Sequence, residues 1–124
     1  MRATQAHFLA LMAMELDDLK EDLQALVRGC AARREKGEIT DYVFRENMAV
    51  YRTLAACIDC VRVEFKMVAP EEHTDLSALI KKLRRDCHAR LKDHGFPYGL
   101  ERTIERKMQK IATYLQGEGV PRPE

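Results

Sequence analysis

The chain has 124 residues, of which 33% are charged and 46% are hydrophobic, and its net charge is +1. This composition excludes a disordered chain, and the small net charge provides no global field that would attract nucleic acid or a membrane. The length predicts one compact domain, which we place at residues 1–116.

The first predicted helix covers residues 4–36. Its apolar residues alternate steps of three and four, which indicates one face that is packed along its length. These seam residues are Leu9, Met12, Leu16, Leu19, Leu23, Leu26 and Cys30. Glu15 interrupts the N-terminal apolar run, which is therefore too short for a transmembrane span and a poor signal peptide. We expect a cytoplasmic protein with reduced thiols and no membrane partner.

The stretch "EKGEITDYVF" predicts the first turn. Gly37 suits the left-handed conformation that ends a helix, and Thr40 suits the cap of the next one. The stretch resembles the turn of short helical-hairpin domains, and this resemblance implies only a helical hairpin. The second predicted helix covers residues 40–69. Its apolar residues spread over more than one face, which indicates a central helix that is packed on more than one side.

Pro70 ends the second helix in this prediction. A third helix begins at Thr74 or Asp75 and ends near His94, before Gly95, and a fourth covers residues 97–116. The tail 117–124 is predicted to be disordered. Short connections favour antiparallel neighbours. The predicted fold class is therefore all-α, a four-helix up-down bundle with two long N-terminal helices and two shorter C-terminal helices.

The unequal helix lengths predict an uncovered end on the first hairpin. If the third helix folds back from Pro70, the last two helices are too short to reach the turn at residues 37–40. Apolar residues that are left without cover at such an end often form a dimer surface. The predicted interaction surface comprises Ile39, Val43, Phe44, Met48 and Tyr51. The predicted partner is a second copy of the chain or another helical protein.

The cysteines allow a second hypothesis. Helix register places Cys87 within a turn of Cys57 and Cys60, so the three thiols could bind a zinc-type metal, with His88 as a candidate fourth ligand. Cys30 faces about residue 46 and is isolated. A redox motif is not favoured because the pair lies far from a helix N-terminus. The preferred interpretation is that the cysteines fill the core as small hydrophobes, and no cofactor is predicted.

A third hypothesis concerns a basic face on the third and fourth helices. Its bases on the third helix could contact the phosphates of nucleic acid, and they are Lys81, Lys82, Arg84, Arg85, Arg90 and Lys92. The fourth helix has few side chains that could read bases. The alternative is a solvated face that complements the acidic residues of the first helix.

The sequence does not favour an enzyme. Ser77 is the only serine, no phosphate-binding loop occurs, and the four histidines are dispersed. Glu101 and Glu105 are interpreted as surface residues that form salt bridges. The leading prediction is a non-enzymatic helical interaction module that forms a homodimer, with a metal-binding protein and a nucleic-acid-binding regulator as the alternatives.

Overall fold

The fold consists of four packed helices in a computed structural model that describes residues 2–117. The helices are α1 (Arg2–Glu35), α2 (Asp41–Met67), α3 (Leu76–Asp93) and α4 (Tyr98–Leu115), and the range 2–117 contains no strand. The predicted all-α class, with two long helices before two shorter ones, is confirmed. The predicted tail lies outside the described residues apart from Gly117.

The helices form a ring in which each packs against the next along the chain and α4 packs back against α1. The core lies between them and is filled mainly by aliphatic and aromatic side chains. The largest fully buried core residues are Phe8, Met12, Leu16, Val61, Leu79, Leu83, Leu91 and Met108. Burial of these side chains is the main source of stability, because each contributes about 1.5–3 kcal/mol relative to exposure.

Local signals set the helix ends as the sequence predicts. Gly37 has a φ of 74°, a left-handed conformation that a side chain would strain, and it ends the turn after α1. The Thr40 hydroxyl accepts a hydrogen bond from the Val43 backbone N–H at 3.1 Å and caps α2. The Asp75 carboxylate caps α3 by accepting from the Ala78 N–H at 2.9 Å.

The connection between α2 and α3 differs from the prediction. Helix α2 ends at Met67, two residues before the predicted end, because Pro70 restricts the residue before it to extended backbone. A single 3₁₀ turn, Pro70–Glu72, then follows. The buried Gln5 amide donates from Nε2 to the carbonyl oxygens of Pro70 at 3.0 Å and His73 at 2.7 Å. The first turns of α1 therefore hold this connection in place.

The helix lengths position the candidate site. Helix α1 has 34 residues and α2 has 27, whereas α3 and α4 have 18 each. At about 1.5 Å per residue, α1 is about 50 Å long and α3 and α4 are about 27 Å long. A four-helix half therefore continues into a two-helix hairpin end. None of the helices within residues 2–117 is long and apolar enough to cross a membrane.

Candidate interaction surface

The four-helix half stops where α4 begins. Pro97, Gly99 and Leu100, at the start of α4, border a shallow cleft with the α2 residues between Glu46 and Leu54. Helix α3 ends just before this turn. Towards the turn at Gly37, this cleft extends along α2 as far as Glu46, and the recess around Met48 is lined by α1 and α2 alone.

Burial along the α1 seam changes at this boundary. Leu16 is 1% exposed and Leu23 is 9% exposed, but Leu26 is 50% exposed although it belongs to the same seam. On α2, Val50 is 56% exposed beside the start of α4. Cys30, the next residue of the seam, is 5% exposed beside Asn47 of α2, so the loss of burial is local to Leu26.

An apolar cleft opens into the core at the same level. We call it the inner cleft; it has a volume of about 180 Å³ and lies between α1, α2 and the start of α4. Its walls are mostly leucine and isoleucine, and its principal lining residues are Leu19, Leu23, Leu26, Leu54, Ile58, Leu100 and Ile104. Asp22 is its one charged lining residue. The cleft suits apolar side chains because it has almost no polar group to satisfy.

The structure places the predicted surface residues on the hairpin end, but it covers most of them. Val43 is exposed, whereas Ile39, Phe44, Met48 and Tyr51 are half-buried. Arg34 of α1 stacks over the Phe44 ring, 3.9 Å from its centroid. The expectation that Ile39, Val43, Phe44 and Met48 lack cover within the chain therefore holds for Val43 only. The other three are half-buried, and Arg34 of α1 covers Phe44.

Tyr42, 65% exposed near the turn, lies outside the predicted surface. Two exposed residues on the side facing α3 and α4 were also missed, namely Leu26 and Val50. The signal for both was present in the mismatch of helix lengths. An 18-residue helix that folds back from the level of Met67 reaches only to the level of about residue 50. Apolar residues at and beyond this level on the side facing α3 and α4 are therefore left open.

A second groove lies on a neighbouring face of the hairpin. We call it the outer groove; it has a volume of about 370 Å³ and is lined by α1 and α2 alone. Its apolar lining residues are Leu23, Val27, Met48, Tyr51 and Ala55, and its basic ones are Lys20, Arg28 and Arg52. Ala55 of the outer groove and Leu54 of the inner cleft are adjacent in sequence, about 100° apart around α2, and Leu23 of α1 lines both recesses. The two recesses therefore lie on neighbouring faces of the hairpin.

The cysteines divide between the two halves of the molecule. Cys57 and Cys87 are buried in the four-helix half and Cys60 is half-buried, and all four cysteines are free thiols. Burial raises the pKa of Cys57 to about 11, and the nearby Cys60 and Glu101 add to this rise. Burial also raises the pKa of Cys87 to about 12, with Glu64, Asp86 and Cys57 adding to it. Both thiols therefore stay protonated at neutral pH.

The contribution of Cys57 to the raised pKa of Cys87 agrees with the predicted register, in which Cys87 lies near Cys57. Cys30 is separate, and its Sγ accepts a hydrogen bond from Asn47 Nδ2 at 3.7 Å, close to the predicted position 46. In the described part of the chain, no group of three or more His, Cys, Asp or Glu side chains is placed to hold a metal ion. Protonated buried thiols fit the preferred interpretation, in which the cysteines fill the core.

His88 and Glu101 form a pair that links α3 to α4. Glu101 is only 7% exposed, so its interpretation as a surface residue is wrong. Its Oε2 lies 2.8 Å from Nδ1 of His88, a side chain that is about half exposed. His88, the candidate fourth metal ligand, therefore contacts a buried carboxylate that sequence spacing did not assign to it. Glu105 does form the expected salt bridge, at 3.7 Å from Arg84.

The predicted basic face is largely neutralised by neighbouring acids. Lys82 and Arg85 contact Asp86, Arg84 contacts Glu105, and Arg90 pairs with Glu64. The hydrogen bond from Lys82, at 2.6 Å, is the main cause that lowers the pKa of Asp86. Lys81 and Lys92 are exposed.

The acids of α1 are also partly matched within the chain. Glu15 accepts from Lys107 Nζ at 3.0 Å, and Asp17 pairs with Arg62. These pairs agree with the interpretation of the charged faces as mutually complementary. A phosphate partner would have to compete with carboxylates that are already in contact with four of the six predicted bases.

Comparison of the chain with protein-family models, with curated proteins and with solved structures finds no match.

Proposed function

We propose that this chain is a non-enzymatic, cytoplasmic interaction module that forms a homodimer through the inner side of its α1–α2 hairpin end. The observation that carries the proposal is the half-exposed Leu26 on a seam in which Met12, Leu16 and Leu23 are buried. Four free thiols are compatible with a reducing compartment.

A second hairpin is the partner that best fits this surface. In the four-helix half, α3 and α4 cover the seam of the hairpin, and at the open end an equivalent pair of helices is missing. Two hairpins related by a two-fold axis would supply this pair to each other, because a two-fold interface brings the same patch of each copy together. Each copy would bury the other's Leu26, Val50 and inner cleft, and a new four-helix contact would form between the chains.

The electrostatics of this surface do not oppose such an arrangement. Asp22 is the charged lining residue of the inner cleft, and Glu46 is the one at the neighbouring cleft beside Val50. Both are exposed and can remain at the rim, in contact with water. An interface with an apolar centre and a polar rim is the usual anatomy of stable protein contacts.

Light scattering after size exclusion tests the proposal over a concentration series up to the high micromolar range. Val50→Lys places a charge in the proposed interface and should produce a monomer. Val63→Lys is the matched control, because Val63 is an exposed valine on the same helix, at 41% exposure, outside the proposed interface. A wild-type chain that stays monomeric throughout the series would contradict the proposal, as would equal effects of the two substitutions.

A further inference from the structure

The outer groove combines an apolar floor with basic walls. Val27 of α1 and Met48 and Tyr51 of α2 supply side chains to the floor. Arg28 stands on the α1 wall and Arg52 on the α2 wall, so the two guanidinium groups flank the groove from different helices. Its volume of about 370 Å³ lies within the range of roughly 300–1,000 Å³ that is usual for pockets that bind ligands.

The charge of this groove is one-sided. None of the described residues that line it is acidic, whereas three of them are basic. Lys20 already pairs with Asp59 at 2.7 Å. Arg28 and Arg52 are exposed, and neither forms an ion pair within the described range 4–117. This differs from the basic face of α3, where neighbouring carboxylates occupy most of the bases.

We infer that the outer groove is a docking site for an acidic amphipathic helix of a partner protein. The apolar face of that helix packs on Val27, Met48 and Tyr51, and carboxylates on its two edges pair with Arg28 and Arg52. Helices that bind in grooves use anchors at positions i, i+3, i+4 and i+7. The groove extends along α1 from Lys20 to Arg28, about 12 Å, which matches two turns of helix and such a set of anchors.

The chain itself does not provide this occupant. Its most acidic helical segment is residues 15–22, but the apolar positions of that segment, Leu16 and Leu19, already pack in or against the core. Within residues 2–117, a second copy therefore has no amphipathic acidic face to offer. The inference does not rest on the proposed dimer, because Leu26 and Val50 do not line the outer groove, and the inner cleft and the outer groove share only Leu23.

A designed peptide tests the inference with the full-length chain. The probe is a fluorescein-labelled helical peptide of about 14 residues with leucines at i, i+3, i+4 and i+7 and glutamates on both edges of that stripe. One control peptide carries lysine in place of each glutamate. A second has the composition of the probe, but its leucines are distributed around the helix. We expect only the probe to bind, as measured by fluorescence polarisation.

Charge reversal tests the role of the two arginines. Arg28→Glu and Arg52→Glu should each weaken binding of the probe about tenfold, because a pair is lost and a like charge is introduced. Arg106→Glu is the matched control, because Arg106 is an exposed arginine on α4. This substitution should change binding by less than about twofold. Thermal unfolding of each variant verifies that the fold is retained.

Backbone amide chemical shifts of the wild-type chain provide a readout that needs no variant. The probe should perturb the amides of residues 20–28 and 48–55. Perturbation of α3 and α4 instead, equal binding of the control with distributed leucines, or no binding at millimolar peptide would overturn the inference. Vesicles that contain phosphatidylserine are tested in parallel, and their binding through Arg28 and Arg52 without binding of the probe would assign the groove to membranes and also overturn it.

Discussion

Leu16 and Leu26 belong to the same apolar seam of α1, but the first is buried in the four-helix half and the second is half exposed on the hairpin end. Their chemistry and helix are the same, so the difference lies in what faces them. Leu16 lies in the core that α3 and α4 close, whereas at Leu26 only the first residues of α4 border the open cleft that this side chain lines. Apolar periodicity therefore identifies the face of a helix that packs against other elements. The lengths of the neighbouring helices decide whether that face is buried within one chain.

Substitution of Leu16 and Leu26 by alanine should lower the free energy of unfolding by unequal amounts. The loss for Leu16 is the largest effect that we expect. Leu16→Ala leaves a cavity in a closed core and should lower the free energy of unfolding by about 2–5 kcal/mol. Leu26→Ala should lower it by less than about 1 kcal/mol in the monomer, because the side chain is already half in water. Urea denaturation at low micromolar protein measures both values. Equal losses would show that the hairpin end is as well packed as the four-helix half.

The buried thiols of Cys57 and Cys87, in the four-helix half, predict that the free energy of unfolding falls at alkaline pH. The folded pKa values of Cys57 and Cys87, about 11 and about 12, lie above the ordinary value of 9.0. Above pH 9 the unfolded chain ionises these thiols while the folded chain keeps them protonated. Their stabilising effect is therefore fully present below pH 9 and is lost as pH rises through 11 to 12, by up to about 1.4 kcal/mol per thiol and pH unit.

Urea midpoints between pH 8 and pH 10 measure this loss. The doubly substituted chain, Cys57→Ala with Cys87→Ala, should show a shallower decline than the wild type, and the difference between them isolates the thiols from lysines and tyrosines. Val61→Ala, which truncates a buried residue of α2 that does not titrate, is the control and should leave the slope unchanged. Identical slopes for the wild-type and double-variant chains would contradict the cause that we assign.

Loss of the contact between His88 of α3 and Glu101 of α4 should lower the free energy of unfolding moderately. His88→Ala leaves the buried Glu101 carboxylate without its imidazole partner, which should lower the free energy of unfolding by about 1 kcal/mol. His7→Ala is the control, because His7 is an exposed histidine on α1. Thermal unfolding at pH 7 compares the two variants. A midpoint for His88→Ala that matches the His7→Ala midpoint would show that water replaces the imidazole at no cost.

The smallest change in stability is expected for substitutions of Arg34, at the hairpin end. Arg34→Ala removes the guanidinium from the face of Phe44 and should cost about 0.5–1 kcal/mol. Arg34→Lys retains a cation and should recover part of this loss. Hydrogen exchange of the amides near the turn at Gly37 measures the local stability. Faster exchange in the lysine variant than in the alanine variant would rule out the stacking contact as its source.

Most of the fold could be predicted from the sequence because its signals are local. Apolar spacing defined four helices, and Gly37, Thr40 and Gly95 placed their ends within a few residues. The 3₁₀ turn after Pro70 was not predicted, because several backbone conformations satisfy the residues around a proline.

The candidate site was predicted less completely because it depends on contacts between helices. The burial of Glu101 follows from His88 on another helix, and spacing within α4 cannot reveal that partner. The cover of Phe44 likewise comes from the reach of Arg34, a long side chain whose direction no apolar pattern specifies. The uncovered end itself was predictable because it depends only on helix lengths. Leu26 and Val50 were missed because identifying them requires an estimate of where along α2 the C-terminal end of α3 lies.

The bonds from Gln5 to Pro70 and His73 have a consequence for biosynthesis. The amide is made early, but its acceptors are more than sixty residues later in the chain, so the ring of helices cannot close until His73 has left the ribosome. We expect the α1–α2 hairpin to form first, with Phe8, Met12 and Leu16 still open to solvent. A nascent chain therefore presents its largest apolar surface before α3 is made. Limited proteolysis of stalled ribosome-bound chains of increasing length, with protection of α1 appearing only after α3 emerges, would test this order.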